Sequence, residues 1–337
     1  MKVPILDLNA QYKDIIDEIK HEINKVMDKH QYILGPQVKE LEEKIAEFCN
    51  CDFAIGCASG SDALVLALMA VGVNEGDEVI TTPFTFFATA GSVHRVGAKP
   101  VFVDINPKTF NIDPEKIEKA ITPKTKAIMP VHLFGQAADM VAIMAIAQKH
   151  NLKVIEDNAQ GIGALYKGKT AGTIGDIGTL SFFPSKNLGA MGDGGMCLTN
   201  DPELAQKLMK LRVHGEVQKY YHKWVGFNSR LDSIQAAVLI VKLAHLQNWS
   251  TARQKNAKYY FEQLSGLKQI VLPHIEKDCV SIFNQFSILA EKRDELMQYL
   301  LDNGIGCAIY YPKPLHLQEC FSYLNYKEGD FPVSENT

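Results

Sequence analysis

Apolar residues near the amino end recur at helical spacing. Ile15, Ile16, Ile19, Ile23, Val26 and Met27 share one face and predict an amphipathic helix over about 12–31. Gly35-Pro36 closes it, and a second helix is predicted at 37–49. Short apolar runs then alternate with helical patterns. The strand-like runs are FAIGC (53–57), DEVITT (77–82), KPVFVD (99–104), TKAIMPV (125–131) and LKVIED (152–157). The helical patterns between them cover 61–72, 84–96, 114–121 and 139–150. That alternation predicts an α/β fold, a mostly parallel sheet flanked by helices, with its chemistry at the carboxyl ends of the strands.

The pattern changes after Asp157. Glycine stands at 161, 163, 168, 172, 175, 178, 189, 192, 194 and 195, ten of the 24 in the chain. Such a cluster marks either a run of hairpins or a close approach of backbone to a ligand. Helices are predicted at 201–213, 230–244 and 246–265. A strand at 281–290, a helix at 291–303 and a strand at 305–311 follow. The division this suggests is a large domain over 1–245 and a smaller α+β domain over 246–337, the amino-terminal segment packing on the small domain.

Composition narrows the class. The 337 residues are 46% hydrophobic, enough for about two domains at roughly 150 residues each. With 35 Lys+Arg against 39 Asp+Glu, no positive field exists to hold nucleic acid. The longest apolar stretch, Ala63 to Val73, is 11 residues, whereas a membrane-spanning helix needs about 20. The opening MKVPILDLNAQYKD lacks the apolar run of a signal peptide. Seven cysteines without a C-x-x-C pair suggest neither a metal site nor a disulfide framework. A cytoplasmic protein with reduced thiols is the expectation.

Three segments place polar residues at the ends of predicted strands. Ala58-Ser59-Gly60-Ser61-Asp62 follows the first strand and opens a helix. Its free amides would favour a phosphate, although a serine there is also an ordinary helix cap. Glu156-Asp157-Asn158-Ala159-Gln160 ends the fifth strand with two carboxylates and two amides. Ser181-Phe182-Phe183-Pro184-Ser185-Lys186-Asn187 runs into a glycine-rich turn. Lysines are ordinarily solvated, but one between aromatics and glycines can be depressed into a nucleophile. A phosphate cradle, a carboxylate and an activated lysine are what pyridoxal 5′-phosphate (PLP) requires. The 29 residues from Asp157 to Lys186 leave room for a strand pair between them.

The string SFFPSKNLGAMGDGGM resembles the cofactor-lysine signature of fold-type I PLP enzymes, and more narrowly that of the DegT/StrS-type nucleotide-sugar aminotransferases. CASGSDAL (57–64), PFTFFATA (83–90), PVHLFGQAADM (130–140), EDNAQGIGA (156–164), GFNSRLDSIQAA (226–237) and YYPKPLHLQ (310–318) resemble the same family in order along nearly the whole chain.

The resemblance implies that Lys186 forms the Schiff base and moves the proton, and that Asp157 pairs with the ring nitrogen. Gln160 would sit near the ring hydroxyl, Phe86 on one ring face and Ala159 on the other. Gly60, Ser61 and Ser181 would cradle the phosphate, helped by Asn228 from a second subunit, so a homodimer with its active site at the interface is implied. Arg230, Tyr311 and His316 would line the substrate side. His132 reads as a structural histidine, and His214 and His222 have no assigned role. Tyr220-Tyr221-His222-Lys223 reads equally as a flap over the substrate or an exposed loop, and Gly76-Asp77-Glu78 as a turn.

The implied reaction takes an amino group from glutamate and delivers it to a keto group of a nucleotide-linked sugar. Family relatives that dehydrate sugars carry histidine in place of Lys186. Gln160 and the Tyr310-Tyr311-Pro312 run favour the C3 ketone of a UDP- or dTDP-linked sugar over a 4-keto sugar. A uronic acid substrate would find Arg230 as its carboxylate partner. A non-catalytic PLP-fold binding or regulatory protein is the alternative, but it would be free to lose Lys186 or Asp157, and both are present. A nicotinamide dehydrogenase would need G-x-G-x-x-G after the first strand, which FAIGCASGSD lacks. The family typically continues roughly 30–40 residues beyond FPVSENT, normally a strand and helix of the small domain, so either that tail lies beyond this sequence or the second domain is pared down.

Overall fold

The structure is a computed structural model and describes residues 2–337. Seven strands build its main sheet: β1 (Phe53–Cys57), β2 (Glu78–Thr81), β3 (Lys99–Phe102), β4 (Thr125–Ile128), β5 (Lys153–Asp157), β6 (Ile177–Ser181) and β7 (Gly195–Thr199). Their spatial order is β1-β7-β6-β5-β4-β2-β3. β7 runs antiparallel to both its neighbours, and the remaining pairs are parallel. The reversal has a functional consequence. Because β6 ends where β7 begins, the 182–194 segment must loop over the carboxyl edge of the sheet, and Lys186 goes with it.

Side chains alternate across each strand, so neighbouring residues enter different cores. Ile55, Val79, Ala127, Ile155 and Cys197 face one side, where the Gly60–Ala70 helix is buried on nearly every face. Ala54, Leu180, Met196 and Leu198 face the other, against Val38, Leu41 and Ile45 of the Pro36–Cys49 helix. On that same side Ile80, Ile128 and Val154 meet Met140 and Ile143 of the Met140–His150 helix. The result is a three-layer sandwich, as the alternating pattern predicts.

Three expectations need correction. The helices predicted at 230–244 and 246–265 are one helix, Ser233–Leu264, which crosses the expected domain boundary unbroken. Leu239, Leu243 and Leu246 keep the same buried stripe across the polar residues around His245. Of the strand predicted at 281–290 only Leu289–Ala290 pairs, and a second short pairing, Cys279–Val280, lies just before it. Between them the Ile282 and Asn284 amides donate to Gly135 O (3.1 Å) and Phe134 O (2.9 Å), docking the run onto a turn of the large layer. Of the strand predicted at 305–311, only Ile305 pairs, in a bridge to Val3. Val3 is bracketed by the Gly304 carbonyl (2.8 Å) and the Gly306 amide (2.7 Å), which ties the amino-terminal segment to the carboxyl-terminal third.

Candidate active site

The turn expected to hold a phosphate is built by packing. Ser59 caps the Gly60–Ala70 helix, accepting from the Asp62 amide at 3.1 Å. That leaves the Gly60 and Ser61 amides at the helix end, where the peptide dipoles favour an anion. Gly60 is required sterically: a Cβ there would lie 2.6 Å from the Ser181 Cβ. The turn is held from below by Ser229, whose hydroxyl donates to Asp62 Oδ2 (2.7 Å) and accepts from the Ala58 amide (3.2 Å). Gly60 and Ser181 are thus in contact, with Ser61 next to Gly60 in the helix.

Asp157 ends β5 and is buried. Its Oδ2 accepts from Thr89 Oγ1 at 2.7 Å and its Oδ1 from the Ala159 amide at 3.2 Å. Burial pushes its carboxyl above the ordinary value, although these bonds and the Lys186 charge pull the other way. Among the described residues no cation lies within 4 Å of it. A buried carboxylate raised in this way is suited to a cationic ligand atom. Thr89 was not foreseen, because nothing in the sequence distinguishes it from the other small residues of its helix.

The neighbouring carboxylate has a different task. Glu156 is fully buried and accepts from His132 Nε2 (2.8 Å) and from the amides of Gly172 (2.8 Å), Ile174 (2.7 Å) and Gly175 (2.6 Å). Burial alone would raise its carboxyl, but these donors hold it below the usual range. His132 Nδ1 accepts from the Ala138 amide at 3.1 Å, so Nε2 carries the proton. Glu156 and His132 pin the glycine-rich segment to the sheet, the structural role expected of His132.

Lys186 is half-buried, and its ammonium has no hydrogen-bond or ion-pair partner among the described residues. Burial lowers its pKa and the Asp157 charge partly restores it. Gln160 is oriented by its surroundings. Its Oε1 accepts from the Phe134 amide at 2.7 Å, and its Nε2 donates to the Tyr311 hydroxyl at 3.1 Å. Tyr311 in turn packs edge-on against Phe84 (centroids 5.8 Å apart). Of two adjacent aromatics, Phe87 packs on Phe321 of the carboxyl-terminal third, whereas Phe86 is 58% exposed and leaves its ring open.

The other expected site residues sit differently. Asn228 is exposed, beside Ser229, and makes no side-chain hydrogen bond within the chain among the described residues. Arg230 is half-buried with no carboxylate within 4 Å among the described residues. His316 lies next to Leu315, whose amide donates to Pro83 O (2.8 Å), close to the aromatic motif. Its ring is buried, bonded through Nε2 to Glu335 (2.9 Å) and packed edge-on against Phe331 at 4.7 Å. Tyr220 and Tyr221 stand out on a two-stranded hairpin, 80% and 65% exposed.

The residues fit PLP. Amides at a helix end with no room for a Cβ suit its phosphate, raised Asp157 suits its ring nitrogen, and unpartnered Lys186 suits its aldehyde. Fold and site together fit a PLP-dependent enzyme of fold type I.

The sequence profile of the DegT/DnrJ/EryC1/StrS aminotransferase family matches residues 13–337, and the chain belongs to that family. It is 55% identical to a "pleiotropic regulatory protein" of Geobacillus stearothermophilus over 99% of this chain and 91% of the relative. It is 49% identical to a UDP-N-acetyl-3-dehydro-alpha-D-glucosamine 3-aminotransferase of Acidithiobacillus ferrooxidans, over 99% and 90%. The crystal structure of Streptomyces venezuelae DesV in complex with a ketimine intermediate superposes with a TM-score of 0.97 at 43% identity, covering 99% of this chain and 90% of that one. Among the described residues no helix is long and apolar enough to cross a membrane.

Proposed function

We propose that this chain transfers an amino group from glutamate to the C3 ketone of a UDP- or dTDP-linked sugar. It does so in the cytoplasm, as a homodimer with its active sites at the interface, for the assembly of surface polysaccharide such as lipopolysaccharide O-antigen. The observation that carries the reading is Lys186, held half-buried and unpaired at the sheet edge that also bears Asp157. The 3-aminotransferase name of the Acidithiobacillus relative supports the choice of C3.

PLP supplies an electron sink that makes a carbon-bound hydrogen acidic. The chain's residues do the rest. The Gly60 and Ser61 amides and Ser181 hold the phosphate, and Asn228 of a second subunit completes the cradle. Asp157, fixed by Thr89, holds a proton on the ring nitrogen. Gln160 donates toward the ring hydroxyl, its amide orientation set by the Phe134 amide. Lys186 would hold the cofactor's aldehyde end and, as a free amine, would accept and return a proton at Nζ. Phe86 and Ala159 enclose the ring, while Arg230, Tyr311 and His316 border the sugar nucleotide. The division into domains 1–245 and 246–337 is placed within the Ser233–Leu264 helix by this reading, with the sugar site between the two parts.

The test gives the purified chain glutamate and either a 3-keto or a 4-keto nucleotide sugar. The 3-keto compound should turn over at least about tenfold faster. Faster turnover of the 4-keto compound would overturn the choice of C3. Lys186→Ala should lose both amino transfer and the visible band of lysine-bound cofactor, and normal transfer by that variant would overturn its role. The Geobacillus relative's name favours a second reading, a PLP-fold regulator. That reading predicts no turnover of either sugar and no bleaching of the band by glutamate.

A further inference from the structure

Lys242 is fully buried in the middle of the Ser233–Leu264 helix, and no carboxylate lies within 4 Å of it among the described residues. Its ammonium donates to the Gly189 carbonyl and to the Tyr12 hydroxyl (3.0 Å). It also lies 4.5 Å from the centre of the Tyr12 ring and 6.0 Å from that of Trp249. Burying an ammonium without a countercharge is costly, so such a group persists only where its hydrogen bonds serve something. Burial pushes it down to about 8.

What those bonds grip is the loop that carries Lys186. The loop is closed on itself, the Lys186 amide donating to Phe183 O (2.8 Å) and the Ala190 amide to Phe182 O (2.7 Å). Its far side is held by the long helix at two points. Gln235 exchanges hydrogen bonds with Met191, accepting from its amide at 2.9 Å and donating to its carbonyl at 3.4 Å. Lys242 holds Gly189. The two are seven residues apart, two helical turns on one face, so a single rigid rod sets the loop at both positions. Through Tyr12 the same ammonium fastens the loop to the amino-terminal helix Leu8–Tyr12.

We propose that Lys242 is a positioning residue for Lys186. By clamping the Gly189 carbonyl between the long helix and Tyr12, it fixes the direction in which the Lys186 side chain leaves its loop. The proposal rests on Lys186 being the residue that bonds the cofactor. The hydrogen-bond partners of Lys242 itself are Tyr12 and Gly189, so it would act on Lys186 only through the loop.

The test strips the full chain of cofactor and measures two things. One is the rate at which added PLP generates the visible band of the lysine-bound form. The other is the dissociation constant of pyridoxamine phosphate, which uses the same cradle and Asp157 but forms no bond to lysine. Lys242→Met, similar in size and uncharged, should slow the first about tenfold and leave the second within about twofold, because a misdirected nucleophile loses reactivity while the cradle is intact. Lys242→Arg, which keeps the donors, should recover part of the rate. An unchanged rate in Lys242→Met overturns the proposal, and so does an equal loss in both measurements, which marks general damage. Should Lys242→Met not fold, Tyr12→Phe decides: a slower band with unchanged pyridoxamine phosphate binding supports the clamp, and no change in either overturns it. If the unaltered protein forms no band with PLP, the reading of Lys186 itself fails, which is a separate result.

Discussion

Two adjacent carboxylates at the end of β5 have opposite fates, decided by what surrounds each. Asp157 has one hydroxyl and one amide and is left raised by burial, ready for a ligand. Glu156 has three backbone amides and a histidine and is held ionised. A carboxyl lowered by folding stabilises the protein above its unfolded pKa of about 4.3, and that contribution fades as pH falls through the lower folded value. Glu156→Gln should therefore cost about 3 kcal/mol near neutral pH, because its amide would point a donor at donors. Below pH 4 the difference should shrink. Urea unfolding of both proteins across pH 3–8 checks this, and a difference that stays constant with pH would refute the assignment. From the sequence, Asp157 and Lys186 are legible because their strings are distinctive. The task of Glu156 is not, since its partners are mostly backbone amides contributed by a segment 16 to 19 residues away. Lys242 is invisible for a related reason: a lysine within a helical pattern reads as solvated surface until the loop it grips is seen.

At the scale of elements, the phosphate turn depends on how closely a helix end approaches a strand end. Gly60→Ala would push a methyl against Ser181, and the turn would have to move away from β6. Its expected effect is a loss of about tenfold in PLP affinity, equivalent to about 1.4 kcal/mol, with the melting temperature changed little. Equilibrium dialysis against PLP measures it, and unchanged affinity would show that the turn does not hold the phosphate. The large layer was legible because buried parallel strands are short, apolar and bounded by helices, so 53–57 matches β1 residue for residue. The strands of the carboxyl-terminal third were not, although its 291–303 helix was, at Arg293–Asp302. The 281–290 run has a strand's composition, yet its amides are taken by Phe134 and Gly135 rather than by a neighbouring strand. Periodicity describes side chains, and here the backbone partners decided the outcome.

For the whole molecule, the question is what covers the surface around Asn228. Tyr220, Tyr221, Val225 and Phe227 are exposed there, with Val225 91% accessible, an apolar patch of the kind that marks a protein contact. Asn228 extends from the same stretch, while its neighbour Ser229 is tied to the phosphate turn of its own chain. If a second copy of the chain covers this patch, each phosphate cradle takes its Asn228 from the other subunit, and the two contributions can be separated. Lys186→Ala and Asn228→Ala homodimers, assayed at limiting PLP, should both be poor. A hybrid of the two has one site with Lys186 and Asn228 both intact and one site lacking both. Random mixing makes about half the dimers hybrid, so activity should rise to about a quarter of that of the unaltered protein. If Asn228 instead serves the site of its own chain, every hybrid site lacks one of the two residues. Mixing would then recover nothing, and the site would belong to a single subunit.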